Sequence, residues 1–147
     1  MNKRKHDIVI NTGLKLLSEG KSIRVKAHGY SMYPSIKPGS MVLIEPIMVR
    51  GAPGPGEIIA IKRESGLIVH RLVRTVAKNG ITWYIARGDS NAHADTPVGI
   101  NMIVGRITGA DTTGENPVPA DIRINKKPRY YYNRLRVIWT ILWKKIR

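Results

Sequence analysis

The sequence predicts a mainly β domain, a compact coiled β-sheet with a short N-terminal helix and a basic amphipathic helix at the C-terminal end. Three observations lead there. Six short runs rich in Ile, Val and Leu lie between residues 22 and 108. Glycine and proline punctuate those runs, in the manner of an all-β chain. Helical periodicity is confined to the two ends. With 147 residues, 42% hydrophobic and 24% charged, the chain is long enough and apolar enough for one real core. The expected organisation is a helical segment at 1–20, a β-rich domain at 21–110, a linker at 111–128 and a basic amphipathic helix at 129–147.

The elements follow in order. Asp7 to Leu17 places Ile10, Leu14 and Leu17 on one helical face, and Gly20 is a stop. Strands are expected at Ser22–Ala27, Met41–Glu45, Glu57–Lys62, Leu67–Val76, Ile81–Ala86 and Met102–Thr108. Pro38-Gly39, the run Gly51 to Gly56, Ser65-Gly66 and Asn79-Gly80 separate them, and the last of these is a hairpin signal. Residues 111–125 are turn-rich. In the final segment Leu135, Ile138, Trp139, Leu142 and Ile146 share a helical face, with Trp143 beside them. Asn133, Arg136, Thr140, Lys144 and Arg147 lie opposite. Such a helix suits a bilayer interface, a neighbouring domain surface or a second copy of the chain.

Charge is the strongest global signal. The net +15 favours anionic partners: nucleic acid, anionic lipid or acidic peptide. Residues 120–147 carry nine Lys/Arg against the single acid Asp121. The chain has no cysteine, which excludes disulfides, thiolate metal sites and cysteine nucleophiles. The basic Lys3-Arg4-Lys5 is followed by Ile8-Val9-Ile10 and then at once by Asn11, Thr12 and Gly13, so no signal-peptide core forms. No run of about 20 apolar residues is present for a spanning helix. The expectation is a cytoplasmic protein with peripheral membrane contact through 129–147, no cofactor, no metal and no specific nucleic-acid partner.

The chemistry centres on Ala27-His28-Gly29-Tyr30-Ser31-Met32-Tyr33-Pro34. Glycine two places before Ser31 and proline three places after it present the serine at a strand end. A nucleophilic serine needs a base within reach and N–H donors for the oxyanion. Of four histidines, His70 is the one within an apolar strand, on a face with Ile68 and Leu72. Histidine is the side chain suited to proton transfer near neutral pH. The bland alternative is a strand histidine satisfied by a backbone carbonyl. Gly88-Asp89-Ser90-Asn91-Ala92-His93-Ala94-Asp95 supplies two acids. Cation binding, turn capping and orientation of an imidazole are all open to them.

The order of these pieces resembles the signal peptidase I superfamily, which also contains the self-cleaving SOS repressors. The resemblance runs through Gly29-x-Ser31-Met32-x-Pro34, Gly56-Glu57-Ile58-Ile59, Val69-His70-Arg71-Leu72-Val73, Gly88-Asp89-x-Asn91 with Asp95, and Val104-Gly105-Arg106-Ile107, from about Lys21 to Thr108. His70 stands where bacterial signal peptidases carry lysine, as in the endoplasmic-reticulum-type enzymes. The resemblance implies a coiled β-sheet peptidase domain that binds substrate as an added extended strand. Ser31 would be nucleophile, His70 general base, Asp95 its orienting acid and Asp89 a shaper of the loop. Gly29, Tyr30, Met32 and Pro34 would contact substrate. The implied function is serine endopeptidase cleavage of a leader or signal-type peptide from a precursor. No N-terminal anchor of the family's kind is expected here, and Gly29 occupies the place of the side-chain oxyanion donor two positions before the serine.

Two other readings use the same residues. A non-catalytic or self-cleaving regulatory module would share the superfamily fold, although thirty residues before Ser31 are too few for a DNA-binding segment and a scissile linker. A basic module would use the +15 charge on membrane or nucleic acid, although no nucleic-acid motif is present.

Overall fold

The computed structural model describes residues 3–111 and 127–146. The expected linker at 111–128 therefore lies almost wholly outside the described residues. Six strands are present, β1 (Ile23–Lys26), β2 (Met41–Pro46), β3 (Ile58–Arg63), β4 (Gly66–Lys78), β5 (Ile81–Arg87) and β6 (Ile103–Asp111). Three helices accompany them, α1 (Lys3–Ser18), α2 (Ile47–Arg50) and α3 (Lys127–Ile146).

The strands form one sheet in the order β1-β2-β6-β3-β4-β5, antiparallel at every pairing. Here the structure corrects the expected fold class. The sheet is open and uncurled, and with three helices the fold is mixed α/β, not a coiled, mainly β sheet with two terminal helices. The physical reason is closure. Curling a sheet on itself requires its edge strands to meet in a staggered register. Here β1 offers only four residues, and β1 and β5 stay at opposite edges. Turn and strand signals in a sequence report local backbone preference and carry no information about whether the edges join.

Two cores lie on the two sides of the sheet. The central strand β3 is buried on both faces, with Ile58 and Ala60 in one cluster and Ile59 and Ile61 in the other. Helix α1 covers the first face. Its Leu16 and Leu17 join Ile23, Val42, Ile44 and Ile107 there, and Gly13 lets the helix approach Ile23 closely. The helix stops in a Schellman arrangement, with Lys21 N–H bonded to Leu16 O (2.9 Å), Gly20 N–H bonded to Leu17 O (3.1 Å) and Gly20 at φ 81°. The second face packs Leu72, Tyr84, Ala86, Val98 and Ile103, closed by Ile47 of α2 and Met102 of a 3₁₀ turn at Ile100–Met102. The β4–β5 hairpin turns at Asn79-Gly80, both with positive φ (53° and 74°), as the dipeptide predicts.

Between β1 and β2 the chain makes the excursion that carries Ser31. Its base is tied by Ala27 N–H to Ser40 O (2.8 Å) and Gly39 N–H to Ala27 O (2.9 Å). Met32 and Ile36, four residues apart and 5% and 3% exposed, plug it into the first core. Ser31 rides beside that plug, half-buried.

Candidate active site

The serine excursion is latched to the loop that follows β5. Ser31 O accepts from Ser90 N–H at 2.8 Å, and Ser90 Oγ donates to Tyr33 O at 2.6 Å. This requires close backbone approach: a Cβ on Gly88 would fall 2.7 Å from Ser31 O. Gly88 is therefore a spacing requirement of the latch.

Beneath the latch lies a buried ion pair. Asp89 and Arg71 are each 2% exposed. Arg71 Nε donates to Asp89 Oδ1 and Arg71 Nη2 to Asp89 Oδ2, both at 2.8 Å, a two-point match that fixes both planes. Arg71 Nη1 donates to Gly56 O at 2.9 Å, Nη2 also reaches Ser35 Oγ at 3.1 Å, and Ser35 donates its hydroxyl proton to Asp89. Asp89 thus joins β4, the post-β5 loop and the serine excursion. Arg71 lies in the buried part of β4, between His70 and Leu72, where an unpaired guanidinium would be prohibitive, so a carboxylate partner is required there.

His70 precedes Arg71, so its side chain projects to the other side of β4. It lies opposite Ile59 in the ladder and is 7% exposed. His70 Nδ1 is 2.6 Å from Asp95 Oδ2, and Asp95 is itself placed by its N–H bond to Ala86 O (2.8 Å). An ionised carboxylate only accepts, so in the neutral ring Nδ1 carries the proton and Nε2 is left as the acceptor a general base requires. His6, His28 and His93 are exposed.

The other expected residues fall as follows. Gly29 is exposed at φ 76°, a left-handed conformation that glycine adopts without strain. Tyr30 and Pro34 are half-buried at the surface, and the Tyr33-Pro34 peptide is cis. Met32 turns inward as a core residue, which leaves Gly29, Tyr30 and Pro34 as the accessible members of the four expected at substrate. Neither the N–H nor the hydroxyl of Ser31 bonds to another described residue. The histidine–acid link is thus closed, whereas Ser31 and His70 are not hydrogen-bonded to each other among the described residues.

Helix α3 completes the surroundings in a way that sequence reasoning missed. Asn133, 5% exposed, donates from Nδ2 to Asp89 O at 3.4 Å, and Lys144 Nζ donates to Tyr30 Oη at 3.1 Å. The Arg136 guanidinium lies 5.5 Å from the Tyr33 ring centre. The polar stripe of α3 was legible in the sequence, but nothing there revealed that it faces the serine excursion. Among the described residues no three His, Asp or Glu side chains gather as a metal site. An apolar hollow of about 370 Å³ on the β4–β5 hairpin, lined by Val76, Lys78, Trp83, Ile85 and Pro97, shares no residue with this constellation. No protein-family model and no curated protein sequence matches the chain.

Proposed function

We propose that this chain is a serine endopeptidase of the signal peptidase I-like type, which removes a leader or signal-type peptide from a precursor. Ser31 Oγ attacks the scissile carbonyl while His70 Nε2 takes its proton. The Ser31 N–H holds the oxyanion as negative charge develops. His70 returns the proton to the leaving amine, and water activated by the same imidazole releases the acyl group. Asp95 keeps His70 in the required tautomer and Asp89 shapes the loop. The precursor lies extended beside Gly29, Tyr30 and Pro34, next to the free edge of β1.

One observation carries the reading. His70, buried, is bonded to the Asp95 carboxylate at 2.6 Å, and Ser31 has an N–H and a hydroxyl that are both uncommitted among the described residues. A strand histidine with a purely structural role would be satisfied by any acceptor, and a purely structural turn serine would bond its own backbone. The test is fluorophosphonate labelling together with mass spectrometry of candidate precursor peptides. Wild type should label at Ser31 and yield a defined cut, Ser31→Ala should do neither, and His70→Ala should lose several powers of ten in rate. Undiminished cleavage by purified His70→Ala would refute the mechanism.

A further inference from the structure

Helix α3 meets the rest of the protein along a polar stripe and turns its apolar face outward. Asn133, Val137, Thr140 and Lys144 follow one another at helical spacing on the inner side. Asn133 and Val137 are each 5% exposed, and Thr140 is half-buried. Opposite them Leu135, Ile138, Trp139, Leu142, Trp143 and Ile146 are 45% to 80% exposed. The exposed Arg134 and Lys145 run along one margin of this face. The bonds to Asp89 and Tyr30 and the approach of Arg136 to Tyr33 hold the helix in this orientation, so its apolar side does not pack on its own domain.

We propose that this outward face is a docking surface for an anionic lipid bilayer, on which α3 lies parallel to the membrane plane. A contiguous stripe of six large apolar side chains is not an ordinary water-facing surface. The charge selects the occupant. Residues 127–146 contain six Lys/Arg and no acid, so pairing with a second copy brings like charges together, whereas anionic headgroups neutralise them. Trp139 and Trp143, stacked with ring centres 6.3 Å apart, are the side chains that settle at headgroup depth. No helix among the described residues is long and apolar enough to cross a membrane, so α3 lies in the interface and does not span it. The inner stripe touches Tyr30, Tyr33 and Asp89, which places the Ser31 turn about one helix diameter, roughly 10 Å, from the lipid surface. The docking surface stands whatever chemistry Ser31 performs.

The test uses the full chain with vesicles of phosphatidylcholine, with and without phosphatidylglycerol. Wild type should co-sediment with the phosphatidylglycerol vesicles, release in high salt, and shift its tryptophan emission to the blue, since two of its three tryptophans lie on this face. The double substitution Trp139→Glu and Leu142→Glu should weaken partitioning at least about tenfold. Arg134→Glu with Lys145→Glu should weaken it by a similar factor on anionic vesicles only. Ile81→Glu, at a 54% exposed apolar residue on the hairpin, should change nothing. All four altered side chains on α3 are solvent-exposed, and an unchanged far-ultraviolet circular dichroism spectrum verifies the fold. Failure of wild type to bind, or equal binding by the Trp139/Leu142 variant, overturns the proposal. So does a concentration-dependent dimer that the same variant abolishes without any lipid binding.

Discussion

Removing the carboxylate of Asp89 is the most informative perturbation of the site's foundation. Asp89→Ala strips Arg71 of both 2.8 Å partners and leaves the guanidinium, in a residue 2% exposed, with Gly56 O and Ser35 Oγ as its remaining bonds among those described above. Breaking one side of a buried pair costs about 3–5 kcal/mol, because the surviving charge has lost its compensation and cannot reach water. Against a total stability of about 5–15 kcal/mol, that is a large fraction. At about 2–4 °C per kcal/mol for a chain near this size, the melting temperature should fall by roughly 6–20 °C. Urea unfolding followed by circular dichroism measures the loss directly. The double replacement Arg71→Met with Asp89→Leu should recover most of it, since two apolar side chains of similar bulk remove both desolvation penalties. A loss below about 1 kcal/mol for Asp89→Ala would mean that water reaches the pair, and the argument from burial would fail. Because the Asp89 carboxylate also accepts from Ser35 and Arg71 Nη2 reaches Ser35 Oγ, the stabilised double variant should still lose fluorophosphonate labelling at Ser31. That outcome separates the positioning of the serine turn from global stability.

Three further outcomes follow from distances in the structure. Asp95→Asn should lower the rate by about 10² to 10⁴-fold with little change in stability, because an amide can hold the imidazole in the tautomer that leaves Nε2 protonated; unchanged peptide cleavage would remove Asp95 from the mechanism. Gly88→Ala should detach the serine turn, since its Cβ would stand 2.7 Å from Ser31 O, and labelling at Ser31 should drop more than the melting temperature does; full labelling would show that the latch is not needed. Gly105→Ala should destabilise by about 1–3 kcal/mol in urea titration, because its Cβ would lie 2.5 Å from both Glu45 O and Ile44 Cγ2 across the β2–β6 pairing; a neutral result would mean that β6 can shift without cost.

Much of this protein is local, and that part was legible. The Asn79-Gly80 turn, the helix stop at Gly20 and all six strands follow from backbone preference and side-chain alternation, which neighbouring residues fix among themselves. His70 stood out because an imidazole within an apolar strand needs a partner. Short α2 escaped notice because Ile47-Met48-Val49 continues the β-branched and apolar run of β2, and four residues give no periodicity to detect.

The sequence by itself determined the inventory: a half-apolar strand carrying His70 and Arg71, a glycine-led acidic loop, a serine between Gly29 and Pro34, and a C-terminal helix with opposed apolar and basic faces. Tertiary structure alone decided how these were shared out. It sent Asp95 to His70 and Asp89 to Arg71, turned Met32 into the core, left the sheet open, and set α3 on the protein by its polar side. Each of those choices depends on which distant segments meet across the sheet, and pairings between residues far apart in the chain leave no periodic trace in either partner.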